Sequence, residues 1–212
     1  MPLNFIESVG ENIYLSGWNI SEGEESLLNT AYLSEEDLEL LGAVHHPSKR
    51  LEFLAGRSLV YKMMTELSIG YNGVFRNEYG KPELLTSQYQ LSLSHTQNFV
   101  VALVGKGVNV GIDIEMPQAK MERIASRLYS EEELAICKDD LALLSKIWSA
   151  KEVLYKLHMV GGIDFKKHLQ VGSFDEQFSS CIGTINKDGV ENRYALHFKP
   201  LGSYYICYNT NS

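Results

Sequence analysis

The chain has 212 residues and a mass of 23.9 kDa, long enough for a sizeable core in one domain or two small ones. With 44% apolar and 22% charged residues it is composed like a folded globular protein, which excludes wholesale disorder. Nineteen Lys and Arg against 27 Asp and Glu give a net charge of −8, the wrong balance for a dedicated nucleic-acid binder.

In chain order, Asn12–Ile20 reads as a strand and is followed by an acidic segment with two helix starts. Ser34 with Asp37 three residues on forms a capping box that opens a helix over Glu35–Ala43. Pro47 fits the first turn of a longer helix running to about Ser68, with Leu51, Leu54, Ser58 and Tyr61 on one face. Strands are predicted at Gly73–Asn77, Gln90–His95 and Asn98–Val104, then at Val108–Glu115. Ser130 with Glu133 opens a second capped helix through Lys138. A long helix from about Leu141 to Met159 stops at Gly161-Gly162, and strands follow near His168–Ser173, Ser179–Ile185, Arg193–Lys199 and Ser203–Tyr208. The pattern predicts an α+β fold of two similar-sized α/β halves, residues 1–106 and 107–212. Each half is a long helix packed on a small, mainly antiparallel sheet, in a pseudo-twofold arrangement. No residue-level repeat supports a duplication.

Cys137, Cys181 and Cys207 lie far apart with no CxxC, and read as small buried hydrophobes in a reducing compartment. His45, His46, His158, His168 and His197 show no ligand spacing, so zinc is not indicated. The start of the chain lacks a basic leader followed by an apolar run, and the longest apolar run, Phe99 to Val104, is far short of a membrane span. The expectation is a soluble cytoplasmic protein with no membrane partner.

Four segments can carry chemistry. In Val108–Glu115 the alternation turns Asp113 and Glu115 to one strand face about 7 Å apart. Carboxylates so placed repel unless water or a cation intervenes, and oxygen-only ligands suit Mg²⁺. Gly111 on that face would let a ligand approach the backbone. Two solvated acids on a half-exposed strand would show the same alternation. In the long second-half helix Trp148, Glu152 and Lys156 line one stripe. Glu152 there is either half of a surface ion pair with Lys156 or a third metal ligand or general base, with Lys156 a cation for phosphate. Ser94 and His95 end a strand and point to opposite faces, which excludes a nucleophile–base pair but leaves His95 able to bond an anion. The turn Tyr79-Gly80-Lys81-Pro82 presents Lys81, solvated or pinning a phosphate.

Together, Gly80-Lys81-Pro82, Ser94-His95-Thr96, Gly111-Ile-Asp113-Ile-Glu115 and Trp148-Ser-Ala-Lys151-Glu152 resemble the 4'-phosphopantetheinyl transferases, in that family's order. The length and the two-half layout resemble its monomeric, surfactin-synthetase-activating type, and the matching blocks span about residues 50 to 157. The resemblance implies that coenzyme A binds between the halves with Mg²⁺ on its pyrophosphate. A serine hydroxyl of an apo acyl or peptidyl carrier protein then takes the phosphopantetheine arm, and adenosine 3',5'-bisphosphate leaves. By the same resemblance Asp113, Glu115 and Glu152 hold the metal, and Glu152 or a metal-bound water takes the serine proton. Lys156 supports the charged phosphates, while Lys81, Ser94 and His95 hold coenzyme A. Arg50 or Arg57 supplies a further contact, the spacing to Gly56 favouring neither, and Arg50 is the residue chosen. Val153 departs from the small residue usual after Lys151-Glu152. Lys146, Lys151, Lys166 and Lys167, with apolar residues of the Ile124–Leu134 segment, are candidates for carrier contact. An Mg²⁺-dependent nuclease or phosphodiesterase, or a non-catalytic relative that binds coenzyme A or a carrier, could use similar parts.

Overall fold

A computed structural model describes residues 3–85, 88–138, 140–158 and 161–210. The chain divides into two compact units, Met1–Val108 and Asn109–Ser212. The first unit runs β1 (Leu3–Gly10), β2 (Ile13–Asn19), α1 (Glu24–Thr30), α2 (Glu35–Ala43), α3 (Pro47–Glu66), β3 (Val74–Arg76), β4 (Pro82–Leu84), β5 (Tyr89–His95) and β6 (Phe99–Lys106). The second runs β7 (Ile112–Glu115), α4 (Lys120–Leu128), α5 (Glu131–Cys137), α6 (Leu141–His158), β8 (Leu169–Gly172), β9 (Ser180–Lys187), β10 (Val190–Leu201) and β11 (Tyr204–Asn209). The fold is α+β with antiparallel sheets.

The first sheet has the order β1-β2-β6-β5, and β3 pairs with β4 alone. Apolar residues of α3, among them Leu54, Ala55, Leu59 and Met63, pack on Leu91, Val100, Ala102 and Val104 of β5 and β6. Ser34 caps α2 as its sequence predicts, its hydroxyl accepting from Asp37 N while the Asp37 carboxylate accepts from Ser34 N. The predicted α3 face holds at Leu54 and Ser58, but Tyr61 is 37% exposed. Its ring stacks on Tyr32 at the edge of the core instead, while Ala55 and Met63 take the buried positions.

The second sheet has the order β7-β11-β10-β9-β8, and α6 lies across it. Val153, Leu154 and Leu157 of α6 pack with Val171, Cys181, Ile185, Leu196 and Cys207. Ser130 and Glu133 close the second capping box. The strand expected over Val108–Glu115 pairs only from Ile112, opposite Tyr208. Before it, the Asn209 side chain replaces the ladder, accepting from Gly111 N at 2.8 Å and donating to Asn109 O at 2.9 Å. The predicted helix end at Met159 lies outside the described residues.

Two helices and two strands go unpredicted. α1 and α4 begin after Gly23 and Ala119, neither of which offers a side-chain cap, so the usual start signal is absent. β1 and the three-residue β4 have no clear apolar alternation. All three cysteines are free and buried. Among the described residues no helix is long and apolar enough to cross a membrane.

Candidate active site

In the second unit, β7 delivers Asp113 and Glu115 to the side of the sheet that α6 covers. Asp113 is 5% exposed; its Oδ2 accepts from Ser149 Oγ at 2.8 Å and its Oδ1 from Lys156 Nζ at 3.1 Å. Glu115 Oε1 accepts from the Trp148 indole N–H at 3.2 Å. Lys156 also donates to Ile112 O at 2.6 Å, so two of its three N–H groups are fixed on β7. The Glu152–Lys156 surface pair that helix spacing allows is therefore not what this lysine forms; it turns to the strand.

The three acids act on one another. Burial pushes the Glu152 carboxyl up to about 7, with the charges of Asp113 and Glu115 adding to it and Lys156 opposing. Burial and then Asp113 likewise raise Glu115, against Lys120, Trp148 and the Met116 backbone. Such a set suits a hard cation, whose charge would relieve the repulsion. Among the described residues no three His, Cys, Asp or Glu side chains are gathered into a finished metal shell, and Asp113 is hydrogen-bonded by Ser149 and Lys156.

Gly111 has a different reason from the one its position suggests. A Cβ there would stand 2.8 Å from Val153 O and 3.1 Å from Leu157 Cγ. The close approach is that of α6, not of a ligand, and it seats the branched Val153 in the core. Lys151 is also misread by sequence as a carrier contact: it is fully buried. Its ammonium pairs with Glu133 at 2.8 Å and donates to the carbonyls of Leu128, Phe165 and Leu169. Lys146 is engaged too, donating to Phe178 O at 2.7 Å above the Tyr205 ring. Lys166 and Lys167 stay exposed.

The first unit carries a cleft of about 300 Å³ whose lining includes Lys49, Glu52, Arg57, Arg76, Gly80 and His95. His95 lines it and Ser94, on the opposite face of β5, does not. Arg57 lines the cleft while paired with the buried Asp37 at 2.6 Å. Arg50 is not among the lining residues; it binds Glu24 and the carbonyls of Leu41 and Val44. Lys81 is not the exposed turn lysine its neighbours suggest. Its Nζ is buried without a hydrogen-bond partner among the described residues, and burial lowers its pKa against the pull of Glu83. An unpartnered buried ammonium is a fitting contact for a phosphate.

Sequence reading missed Lys49, Glu52 and Arg76 around the cleft and gave Ser149 no role beside the acids, while Trp148 was already placed on the Glu152 stripe. Lys49, Glu52, Phe53, Gly56 and Arg57 follow helical spacing, so that stripe was available as a signal. Arg76 carried none.

Two family models match the chain: the 4'-phosphopantetheinyl transferase N-terminal domain over residues 38–105, and the 4'-phosphopantetheinyl transferase superfamily over residues 109–207. A curated relative, 4'-phosphopantetheinyl transferase HetI of Nostoc sp., is 27% identical over 144 residues. That match spans 59% of this chain and 59% of the relative's length.

Proposed function

The chain belongs to the 4'-phosphopantetheinyl transferase superfamily, and from that premise we propose that it moves the 4'-phosphopantetheine arm of coenzyme A onto a serine of an apo acyl or peptidyl carrier protein. The observation that carries this reading is the mutual pressure of Asp113, Glu115 and Glu152 within the segment that matches the family. The serine oxygen attacks the phosphorus bearing the pantetheine arm, the phosphoanhydride bond to the nucleotide breaks, and adenosine 3',5'-bisphosphate leaves. Glu152, set beside Asp113 and Glu115, is the residue assigned to take the serine proton. Lys156, fixed on β7 by two bonds, has a third N–H for a phosphate oxygen. Mg²⁺ held by Asp113, Glu115 and Glu152 would supply charge neutralisation at the pyrophosphate.

His95 and Arg57, which line the cleft, are assigned to coenzyme A with the buried Lys81 between the lining residues Gly80 and Pro82, whereas Ser94 and Arg50 do not line it. For the carrier, we assign the face of α4, where Lys120, Arg123 and Arg127 alternate with Ile124 and Leu128 along a groove of about 620 Å³. Such a face is complementary to an acidic protein surface with an apolar stripe. The reading includes action as a monomer in the cytoplasm; the free, buried thiols fit a reducing compartment.

The test is to incubate the protein with coenzyme A, Mg²⁺ and an apo carrier and to follow nucleotide release by chromatography. Adenosine 3',5'-bisphosphate should form with the carrier and not with its serine-to-alanine variant. Release independent of the carrier serine would instead favour a phosphodiesterase.

A further inference from the structure

We propose that Glu52 is a positioning residue that holds the His95 imidazole and the Lys49 ammonium together on the wall of the first unit's cleft, presenting both to a phosphate group. The inference rests on the reading that this cleft takes coenzyme A.

Glu52 lies on α3 and is 4% exposed. A carboxylate that deep in an amphipathic helix needs a reason, since a buried charge is strongly disfavoured unless it is paired. Its Oε2 accepts from Lys49 Nζ at 2.7 Å and from His95 Nδ1 at 2.9 Å. The Lys49 bond alone is no such reason, because that lysine is 58% exposed and an i,i+3 pair with an exposed partner is only weakly stabilising. The second partner comes from the end of β5, so the carboxylate ties helix to strand at the cleft wall.

The bond to Nδ1 has a chemical consequence. A carboxylate accepts only, so Nδ1 must carry its proton, and the tautomer and the plane of the ring are set together. A ring so held is fixed before any ligand arrives, which reduces the ordering cost of binding. Around it the cleft is rich in cations: Lys49, Arg57 and Arg76 line it with His95, and among the described residues Glu52 is the one acid in the lining. In a chain of net charge −8, this local reversal points to an anionic ligand.

The experiment uses the full chain with Glu52→Gln, read three ways: thermal unfolding, the ¹⁵N signals of the His95 ring, and steady-state constants for coenzyme A and carrier. The expected result is a folded variant whose His95 ring nitrogens shift. Its KM for coenzyme A should rise about tenfold, with kcat and the carrier KM within about twofold. In a double-mutant cycle, Glu52→Gln should add little to His95→Asn, because one acts through the other. If Glu52→Gln does not fold, Glu52→Asp withdraws the carboxylate by one methylene and should give the same KM effect. Unchanged ring signals, an unchanged KM for coenzyme A, or full additivity with His95→Asn overturns the proposal while leaving the transferase reading intact. A wild-type protein that binds no coenzyme A overturns that reading, and this inference with it.

Discussion

Glu152 is a residue where several effects pull in different directions, and the outcome is a carboxyl at about 7. An unfolded Glu titrates near 4.3, so between these values the folded chain holds a proton that the unfolded chain has released. Stability from this group is therefore fully present below about pH 4 and is lost as pH rises through 7, by at most about 4 kcal/mol. In chelator, Glu152→Gln should melt above the wild type at about pH 8 and close to it at about pH 4; a difference independent of pH would contradict the burial account. Lys151 makes the opposite case, a buried cation with every donor used. Lys151→Met strands the Glu133 carboxylate and should cost roughly 3–5 kcal/mol in denaturant unfolding, part of it recovered by adding Glu133→Gln. Sequence could not separate these two neighbours. Both look like charged residues on a helix, and only the packing of α5, β8 and the Phe165 segment around Lys151 tells them apart.

Among elements, the helices α2, α3, α5 and α6 were the most legible, because capping boxes on the short ones and a first-turn proline or apolar spacing on the long ones are local signals. What the helices touch was not. Gly111 looked like room for a ligand because its neighbour in space, Val153 O, lies some forty residues away in sequence. That neighbour is backbone and cannot swing aside, so Gly111→Ala should cost about 1–3 kcal/mol and weaken Mg²⁺-dependent coenzyme A binding as β7 is pushed from α6. Gly42, inside α2 with nothing within 4 Å of a Cβ, is the matched control: Gly42→Ala should stabilise by about 0.5–1 kcal/mol. Helix α4, silent in sequence for want of a cap, carries its own prediction. Arg123→Glu with Arg127→Glu should raise the KM for carrier at least tenfold at low salt and leave the KM for coenzyme A unchanged.

Across the whole molecule, the two units share a device that no residue-level repeat announced. In each, the acid closing the capping box of a short helix also binds a buried cation on the long helix that follows. Asp37 meets Arg57 at 2.6 Å, and Glu133 meets Lys151 at 2.8 Å. Both cations stand ten residues after the first residue of their helix, Pro47 or Leu141. Different residue types fill the same roles, which is why comparing letters does not find the correspondence. The family blocks were legible for the opposite reason: the metal-holding role proposed for Asp113, Glu115 and Glu152 calls for acids whatever surrounds them. The claim that they serve phosphopantetheine transfer is tested most directly by the intact mass of an apo carrier after incubation with the protein, coenzyme A and Mg²⁺. The account predicts a carrier heavier by one phosphopantetheine, with the gain removed by chelator and slowed at least a hundredfold by Glu152→Gln. An unchanged carrier mass across acyl and peptidyl carriers, with no coenzyme A bound, would contradict it.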